Sequence, residues 1–271
     1  MVGLHPDFCL EAVGPDRPKE ECRTDLLRLG VFGVITMLSG IEEYWRDSFD
    51  RSAVEAVEDY AVAQWSEHGF RRRLTQFKIL HQKLRSKENN ELVLDAGCGS
   101  GAYSIYLAST GSRVLALDFS ENMVWRASAN VLKQPHLVVD LIECVVGNVK
   151  SLPARSNRFD LVVCIGVLQS IAEGERVLED FFRVCKSGAH CVINTLNDRF
   201  LAEKRRDWHT RYDPMDLEAR SKLVGFECVC KLPMLLFPKP FRFLEKLENL
   251  SWLGQSLWPV AHSFTLVLRK P

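Results

Sequence analysis

The glycines that follow the apolar run in "ELVLDAGCGSG" could bind a ligand through the protein backbone. Gly97, Gly99 and Gly101 lack side chains, so their N–H groups stay accessible to a molecule that approaches closely. An acid, Asp95, stands before them, and a second acid, Asp118, ends the next apolar run, "RVLALD". A carboxylate in that second position can accept hydrogen bonds from both hydroxyls of a ribose. The arrangement predicts a cofactor that contains adenosine.

Two adenosine cofactors compete for this loop. Gly97, Gly99 and Ala102 also satisfy the dinucleotide pattern G-x-G-x-x-G/A, which would place a pyrophosphate at the start of the following helix. Asp95 stands beside that position, and its charge would repel the phosphates. S-adenosylmethionine has no phosphate, and the ammonium of its methionine moiety is attracted to a carboxylate. The acids therefore favour S-adenosylmethionine, and an NAD-dependent oxidoreductase is the less favoured alternative.

Alternating strands and helices must position these residues from residue 91 onward. Short apolar runs such as "LVLDAG", "RVLALD" and "FDLVVCIGVL" are typical of strands, and each is followed by a helical pattern. Ser120 is expected to cap one helix, and Gly188 is expected to end another before the strand "AHCVINTL". In the tail, Asp213 and Gly225 are expected to bound a helix. The predicted fold class is α/β, with a parallel sheet covered by helices on both faces.

The chain divides into three parts by composition. Residues 1–24 are rich in proline and charge and predict an irregular arm, whereas residues 25–86 show the periodicity of an N-terminal helical cap. Residues 87–271 hold the alternating pattern. An apolar insertion at about 233–261 is predicted to help form a substrate pocket, and plain core packing or a dimer face is an equal alternative.

The charge balance weighs against nucleic acid as a partner. Lys and Arg number 35, and so do Asp and Glu, whereas nucleic-acid-binding proteins usually carry a basic excess. The short basic runs at 71–73 and 204–206 are typical of solvated helix faces. The longest apolar run, 29–41, is too short to span a bilayer, so no stable membrane insertion is predicted, although peripheral contact stays open. The N-terminus does not resemble a signal peptide.

The nine cysteines predict a reduced, cytoplasmic protein. Their number is odd and no C-x-x-C pair occurs, which is typical of buried thiols rather than disulfides. Cys228 and Cys230 are expected on one face of a strand, where their spacing suits zinc poorly. No metal site is therefore predicted, and the oligomeric state is left as monomer or homodimer.

Several motifs in order resemble one known family. The segments "VLDAGCGSGAYSIYLA", "VLALDFSENM", "VVGNVKSLP", "FDLVVCIGVLQSI" and "RVCKSGAHCVINT" are similar to class I S-adenosylmethionine-dependent methyltransferases. They resemble in particular the small-molecule branch that includes the ubiquinone and menaquinone methyltransferases, over roughly residues 91–230. The resemblance implies a Rossmann-like seven-stranded, mostly parallel sheet with a reversed last strand. It makes residues 87–271 a methyltransferase domain.

The resemblance also implies a role for each matching residue. The glycine loop with Cys98 would wrap the methionine moiety, and Asp118 would bind the ribose. Tyr103 is assigned by its position at the start of the helix after the loop, where it could face the methionine carboxylate or pack in the core. Phe119 and Met123 match positions that pack on adenine. Asn148 departs from the family's aspartate, but its carbonyl oxygen can accept from the adenine amino group. The implied cofactor-binding set is Asp95, Gly97, Cys98, Gly99, Gly101, Tyr103, Asp118, Phe119, Met123, Asn148, Val149 (through its N–H) and Cys164 (through its backbone).

The residues that would act on the acceptor are less clearly marked. Gln169 and Ser170 stand where the family often has a histidine pair, so a histidine base is missing there. His209, Arg211 and Tyr212, which follow the fifth strand, are the catalytic candidates: His209 as a base or a surface histidine, the other two as pocket residues. His262 is a weaker candidate.

The resemblance implies methyl transfer, and the apolar tail favours a small lipophilic or aromatic acceptor, methylated at oxygen or carbon. A methyltransferase fold kept as an inactive binding or partner subunit is the alternative.

Overall fold

A seven-stranded sheet organises the structure, a computed structural model that describes residues 40–85, 91–201, 209–237, 239–249 and 257–271. Its strands are β1 (Leu92–Ala96), β2 (Arg113–Asp118), β3 (Ile142–Val146), β4 (Phe159–Ile165), β5 (Cys185–Leu196), β6 (Glu227–Met234) and β7 (Ser263–Arg269). The order is β3-β2-β1-β4-β5-β7-β6, and β7 runs antiparallel to both of its neighbours. The other pairs are parallel. The predicted Rossmann-like, mostly parallel sheet with a reversed last strand is confirmed.

Helices cover both faces of this sheet because its central strands are apolar on both sides. The helices are α1 (Gly40–Glu55), α2 (Asp59–Val62), α3 (Glu67–Leu84), α4 (Ala102–Ser109), α5 (Glu121–Val131), α6 (His136–Val139), α7 (Gly174–Val184) and α8 (Pro214–Val224). In β1, Leu94 packs into the cluster that includes α7 and α8, whereas Val93 packs into the cluster that includes α3 and α4. Such burial on both faces is typical of a parallel sheet.

Local capping explains where several helices begin and end. The Ser120 hydroxyl accepts a hydrogen bond from the Met123 N–H at the start of α5 (3.1 Å). The Asp213 carboxylate accepts from the Met215 N–H at the start of α8 (2.7 Å), and Gly225 ends this helix at φ +115°. These three expectations are confirmed. The Ser120 and Asp213 side chains satisfy N–H groups that a helix leaves unpaired, and Gly225 adopts the left-handed backbone that ends a helix.

Two local expectations are wrong. Gly188 does not end α7, because the helix stops at Val184 and β5 begins at once. Gly188 lies inside that strand, where its N–H donates to the Lys270 carbonyl (2.8 Å). Cys228 and Cys230 do not share a face, because an irregular register between them pairs them with consecutive residues of β7. They therefore pack into opposite clusters.

Helices α1, α2 and α3 form the described part of the N-terminal cap, and polar contacts hold α1 and α2 against α5. The Ser120 hydroxyl donates to Asp50, Arg126 donates to the Ala56 carbonyl (3.0 Å), and Asn130 donates to Asp59 (3.1 Å). The arm 1–24, and residues 25–39 and 86 of the expected cap, lie outside the described residues. The division into arm, cap and domain stays a prediction.

The apolar insertion is tied to the cap through one buried acid. Glu245, in the 3₁₀ segment Lys239–Asn249, is 3% exposed. It pairs with His68 (2.8 Å) and Arg72 (3.0 Å) and accepts from the Phe237 N–H (2.9 Å). Residues 238 and 250–256 of the insertion lie outside the described part of the chain. None of the helices that the structure describes is long and apolar enough to cross a membrane.

Candidate functional site

A cleft that is partly open to solvent lies at the carboxyl ends of β1 to β4. Residues that follow each of these strands line one side of it, which is where open α/β sheets bind ligands. The cap forms the other side. The strand ends contribute Gly97, Cys98, Gly99, Ser100, Ala102, Tyr103, Asp118, Phe119, Met123, Asn148, Val149, Ile165, Gly166, Val167, Ser170 and Ile171, and the cap contributes Glu42, Phe49, Ala63, Trp65 and Phe70.

The glycine loop is held against β2 by its own backbone. The N–H groups of Gly97 and Cys98 both donate to the Leu117 carbonyl, at 2.7 and 2.9 Å. Gly97, Gly99 and Gly101 have φ values of +84°, +53° and +85°, which residues with side chains rarely adopt. The sequence prediction that these positions require glycine agrees with this geometry.

Asp118 stands between the loop and the start of α5. Its carboxylate accepts from the Gly99 N–H (2.9 Å) and from the Ser120 N–H (3.0 Å). Burial raises the pKa of Asp118 to about 6, and the N–H donors only partly offset this rise. An ionised carboxylate has about four acceptor positions, so Asp118 keeps acceptor capacity for a ribose hydroxyl in the cleft.

Asp95 lies beneath the loop rather than in the cleft lining. It is 1% exposed, and its carboxylate accepts from the Ser104 hydroxyl (2.6 Å). Burial raises the pKa of Asp95 to about 7, Ser104 lowers it, and the negative charge of Asp118 raises it further. Asp95 would therefore act on a cofactor through the electrostatic field of its carboxylate and not through direct contact. Its assignment to cofactor binding stays a prediction.

The burial of Asp95 predicts that the ligand-free protein loses stability as the pH rises. Because its pKa is about 7 when folded, against an ordinary 3.8, the folded chain keeps a proton that the unfolded chain releases. Between about pH 4 and 7, the free energy of unfolding should fall by up to about 1.4 kcal/mol per pH unit through this group. Urea unfolding of wild type and Asp95→Asn across this range checks it, since the variant should show a smaller fall. Equal falls would contradict the prediction.

Four of the residues expected beside adenine lie in the cleft. Phe119, Met123, Asn148 and Val149 all line it. The Asn148 side-chain oxygen already accepts from the Lys150 N–H (2.9 Å). A carbonyl oxygen has two lone pairs, so one is left for an adenine amino group.

The two cysteines of the expected cofactor set lie differently. Cys98 lines the cleft, whereas Cys164 is fully buried in β4 and is not among the lining residues, which instead include the Ile165–Val167 segment. Burial raises the pKa of both thiols well above the ordinary range, so neither is a nucleophile. Among the described residues, no group of three metal-binding side chains occurs.

The cap supplies cleft residues that the sequence prediction missed. Gly166 has no room for a side chain, because the Trp65 ring packs on its backbone. The Arg73 guanidinium lies 4.3 Å from the centre of that ring, and Arg73 is 5% exposed. The expectation that residues 71–73 form a solvated helix face is therefore wrong for Arg73. The helical periodicity of residues 25–86 predicts a cap, but only the tertiary structure shows which of its side chains face the cleft.

Arg73 is a buried cation whose described hydrogen-bond partners are neutral. It bonds to the Asn194 side-chain oxygen (3.3 Å) and the His262 ring (3.4 Å), and burial lowers its pKa to about 10. Tyr103 is nearby, since Arg73 and Tyr103 shift one another's pKa. The Tyr103 hydroxyl is buried without a hydrogen-bond partner among the described residues. A buried cation beside an unused hydroxyl donor is suited to a carboxylate.

The three catalytic candidates lie outside the cleft lining. The His209 ring packs on Trp45, with ring centres 4.7 Å apart, and Arg211 donates to the Asn197 carbonyl (3.3 Å). Tyr212 is buried, its hydroxyl donates to the Leu168 carbonyl (3.4 Å), and burial raises its pKa to about 12. Their catalytic assignment stays a prediction. The weaker candidate, His262, contacts Arg73 and the Phe200 ring, away from the lining.

Comparison with known proteins agrees with this geometry. Residues 94–193 match a family model described as a methyltransferase domain. A malonyl-[acyl-carrier protein] O-methyltransferase from Hamiltonella defensa is 26% identical over 62% of this chain and 61% of its own length. A demethylmenaquinone methyltransferase from Oceanobacillus iheyensis is 36% identical over 41% of this chain and 46% of its own.

A solved structure extends the likeness to the fold. The geranyl diphosphate C-methyltransferase from Streptomyces coelicolor A3(2), in complex with Mg²⁺, geranyl diphosphate and S-adenosylhomocysteine, superposes with a TM-score of 0.62. It is 12% identical, and the match covers 86% of this chain and 99% of that one.

These sequence matches cover only part of the chain, the part that carries the glycine loop. This chain spans less than two thirds of the length of the curated relatives described above. The matched residues contain the end of β1, all of β2 to β4, most of β5 and the residues that follow β1 to β4 in the cleft. This part of the chain is similar to the S-adenosylmethionine-dependent methyltransferases of class I, as the sequence motifs predicted.

Proposed function

We propose that the protein transfers a methyl group from S-adenosylmethionine to a small lipophilic or aromatic acceptor, at oxygen or carbon. One observation carries the proposal: an acid-bearing glycine loop opens into a cleft that is otherwise mostly apolar. Asp118 and Gly99 form the polar end, and the cap contributes aromatic side chains to the other. The names of the relatives include an O-methyltransferase and a C-methyltransferase, which supports both atoms as targets.

The described residues fit the cofactor along its length. Asp118 would accept from the ribose hydroxyls, and Phe119 and Met123 would pack on the adenine. Arg73, which packs on the Trp65 ring of the cleft lining, and the Tyr103 hydroxyl would hold the methionine carboxylate, an anion that the described hydrogen-bond partners of Arg73 do not supply. Asp95, below the loop, favours the ammonium group of the same moiety through its charge.

Positioning carries most of the catalysis in this proposal. When bound, S-adenosylmethionine supplies an electrophilic methyl group: the sulfur–carbon bond breaks, the acceptor's oxygen or carbon bonds the methyl, and the acceptor loses a proton. The protein contributes by holding the acceptor in line with that bond and by excluding water. Phe49, Trp65 and Phe70 supply apolar walls for this purpose. His209 is retained as a candidate base, and Arg211 and Tyr212 as residues that support the pocket.

The partners and location follow from the same features. We propose a small-molecule substrate, no nucleic-acid partner, a cytoplasmic location and a monomer or homodimer. The balanced charge and the free state of the seven described cysteines support this. The alternatives are an inactive binding subunit, and a dehydrogenase that uses NAD.

Titration of the purified protein with S-adenosylhomocysteine and with NAD separates these functions. The first ligand should bind and the second should not, and binding of NAD alone would overturn the proposal. Incubation with methyl-labelled cofactor and a cell extract then tests for transfer. Absence of labelled product despite cofactor binding would favour the inactive subunit.

A second titration tests the role given to Arg73. 5′-Methylthioadenosine lacks the amino-acid moiety, so it should bind more weakly than S-adenosylhomocysteine, by about tenfold or more for one charge-assisted contact. Arg73→Met should remove most of this difference and leave the affinity for 5′-methylthioadenosine unchanged. An undiminished difference in the variant would remove Arg73 from the carboxylate site.

A further inference from the structure

The turn that follows β4 presents one polar side chain to the cleft wall. Ser170 and Ile171 both line the cleft, and Ser170 ends the 3₁₀ turn Leu168–Ser170. Ser170 is 6% exposed, and its hydroxyl has no hydrogen-bond partner among the described residues. A buried hydroxyl without a partner is unfavourable. One rotation about the serine side chain can direct it to a molecule in the cleft. The missing partner is expected in a bound ligand.

The segment 209–212 fixes the position of this turn. The Thr210 N–H donates to the Gln169 carbonyl (2.8 Å), and the Thr210 hydroxyl donates to the Ile171 carbonyl (3.1 Å). The Tyr212 hydroxyl donates to the Leu168 carbonyl (3.4 Å). Three carbonyls of the turn are therefore already occupied. The turn has little freedom to move, and Ser170 is placed by contacts that its own sequence neighbours do not provide.

The same segment also contacts the opposite wall of the cleft. The His209 ring packs on Trp45, and Trp45 stacks on Phe49 with ring centres 5.2 Å apart. Phe49 lines the cleft from the cap. Residues 209–212 thus link the turn to the cap, and they set the spacing between the Ser170 hydroxyl and the aromatic wall that faces it.

We propose, on the basis of the methyltransferase function proposed above, that Ser170 hydrogen-bonds a hydroxyl of the acceptor. The acceptor would be an apolar molecule that carries this hydroxyl, because Phe49, Trp65, Phe70 and Ile171 line the same cleft as Ser170. Thr210 is a positioning residue, since it acts through the turn and is not in the cleft lining. Serine can donate or accept, so it suits a phenol or an alcohol.

Two probes that differ by one hydroxyl test this assignment. Binding of para-heptylphenol and of heptylbenzene is measured by calorimetry on the protein loaded with S-adenosylhomocysteine. Wild type should prefer the phenol by about tenfold, the usual size of one hydrogen bond. Ser170→Ala should bind the two probes equally, with its affinity for heptylbenzene unchanged. Ser109→Ala, at an exposed serine outside the cleft lining, should keep the wild-type preference.

Variants of Thr210 separate positioning from folding. Thr210→Val removes the hydroxyl that donates to Ile171, and it should lose most of the preference for the phenol. Thr210→Ser restores that donor and should restore the preference. If Thr210→Val has a wild-type melting temperature and keeps the preference, the positioning role is wrong.

The outcomes distinguish this inference from the proposed function. Failure of S-adenosylhomocysteine to bind would overturn the function itself. If it binds but wild type shows no preference for the phenol, or binds neither probe, the inference about the acceptor is overturned while the function stands. A preference that persists in Ser170→Ala assigns the hydroxyl contact to another residue and also overturns the inference.

Discussion

Replacement of Gly97 by alanine should abolish detectable binding of S-adenosylhomocysteine. A Cβ atom at this position would lie 2.2 Å from the Val167 side chain, far inside van der Waals contact. The backbone also has φ +84°, where an L-residue is strained by roughly 1–2 kcal/mol. Overpacking adds about 1–3 kcal/mol. Gly97 and Val167 face each other across the cleft floor, so relief of the clash must displace the loop or the turn that lines the cleft.

Gly111→Ala is the matched control for this substitution. Gly111 has φ +93°, but no atom lies within 4 Å of the position that its Cβ would take. Its replacement should therefore lower the free energy of unfolding by roughly 1–2 kcal/mol through backbone strain alone. Binding of S-adenosylhomocysteine should be unchanged. Calorimetric titration and urea unfolding of both variants check the pair. Wild-type affinity in a folded Gly97→Ala protein would show that the loop does not contact the cofactor.

The loop and its acids could be predicted from the sequence because their chemistry is local. A turn that needs positive φ requires glycine, as at Gly97. A strand that ends at a ligand site places an acid at its end, as β2 does with Asp118. The same reasoning predicted the Ser120 and Asp213 caps, since a cap depends on residues two or three positions away. The number of strands and the reversal of the last one followed from family resemblance rather than from these local rules.

The acceptor side could not be predicted in the same way. Trp65 and Phe70 line the cleft from the cap, far in sequence from the strand ends that they meet, and nothing local marks them as residues that face it. The run 71–73 illustrates the difficulty. Arg71 is exposed and pairs with Glu67, whereas Arg73 is buried near the cleft. Their helical phases differ, but the charge pattern alone gives no indication of which phase faces the sheet.

Long-range contacts also explain the two wrong local expectations. Gly188 resembles a helix end because glycine commonly follows one, but the antiparallel pairing of β5 with β7 draws this residue into the strand. An irregularity in the register of β6 places Cys228 and Cys230 on opposite faces of the sheet. The alternation of residues along a strand does not reveal such a bulge in the sequence. In both places tertiary pairing decides the local structure.

Replacement of Asp118 by alanine should weaken S-adenosylhomocysteine binding about 5- to 150-fold, which corresponds to about 1–3 kcal/mol for the lost charge-assisted contacts. The Asp118 carboxylate also holds the Gly99 N–H, so part of the loss would come from the loop rather than the ribose. Comparison of 5′-methylthioadenosine with its 2′-deoxy counterpart isolates the ribose part. Wild type should prefer the hydroxylated ligand, and Asp118→Ala should not.

Asp160→Ala is the control, since Asp160 also accepts from a backbone N–H, that of Leu92 (3.0 Å), but at the opposite end of β1. This variant should lose stability and keep its affinity for S-adenosylhomocysteine.

The affinity of wild type for S-adenosylhomocysteine should also depend on pH in a defined direction. Because the pKa of Asp118 is about 6, protonation below that pH removes acceptor positions, and affinity should fall by up to about tenfold per pH unit. Asp118→Ala should show a weaker dependence. If both proteins lose affinity in parallel, the pH dependence belongs to another group, and Asp118 does not bind the ribose as an ionised carboxylate.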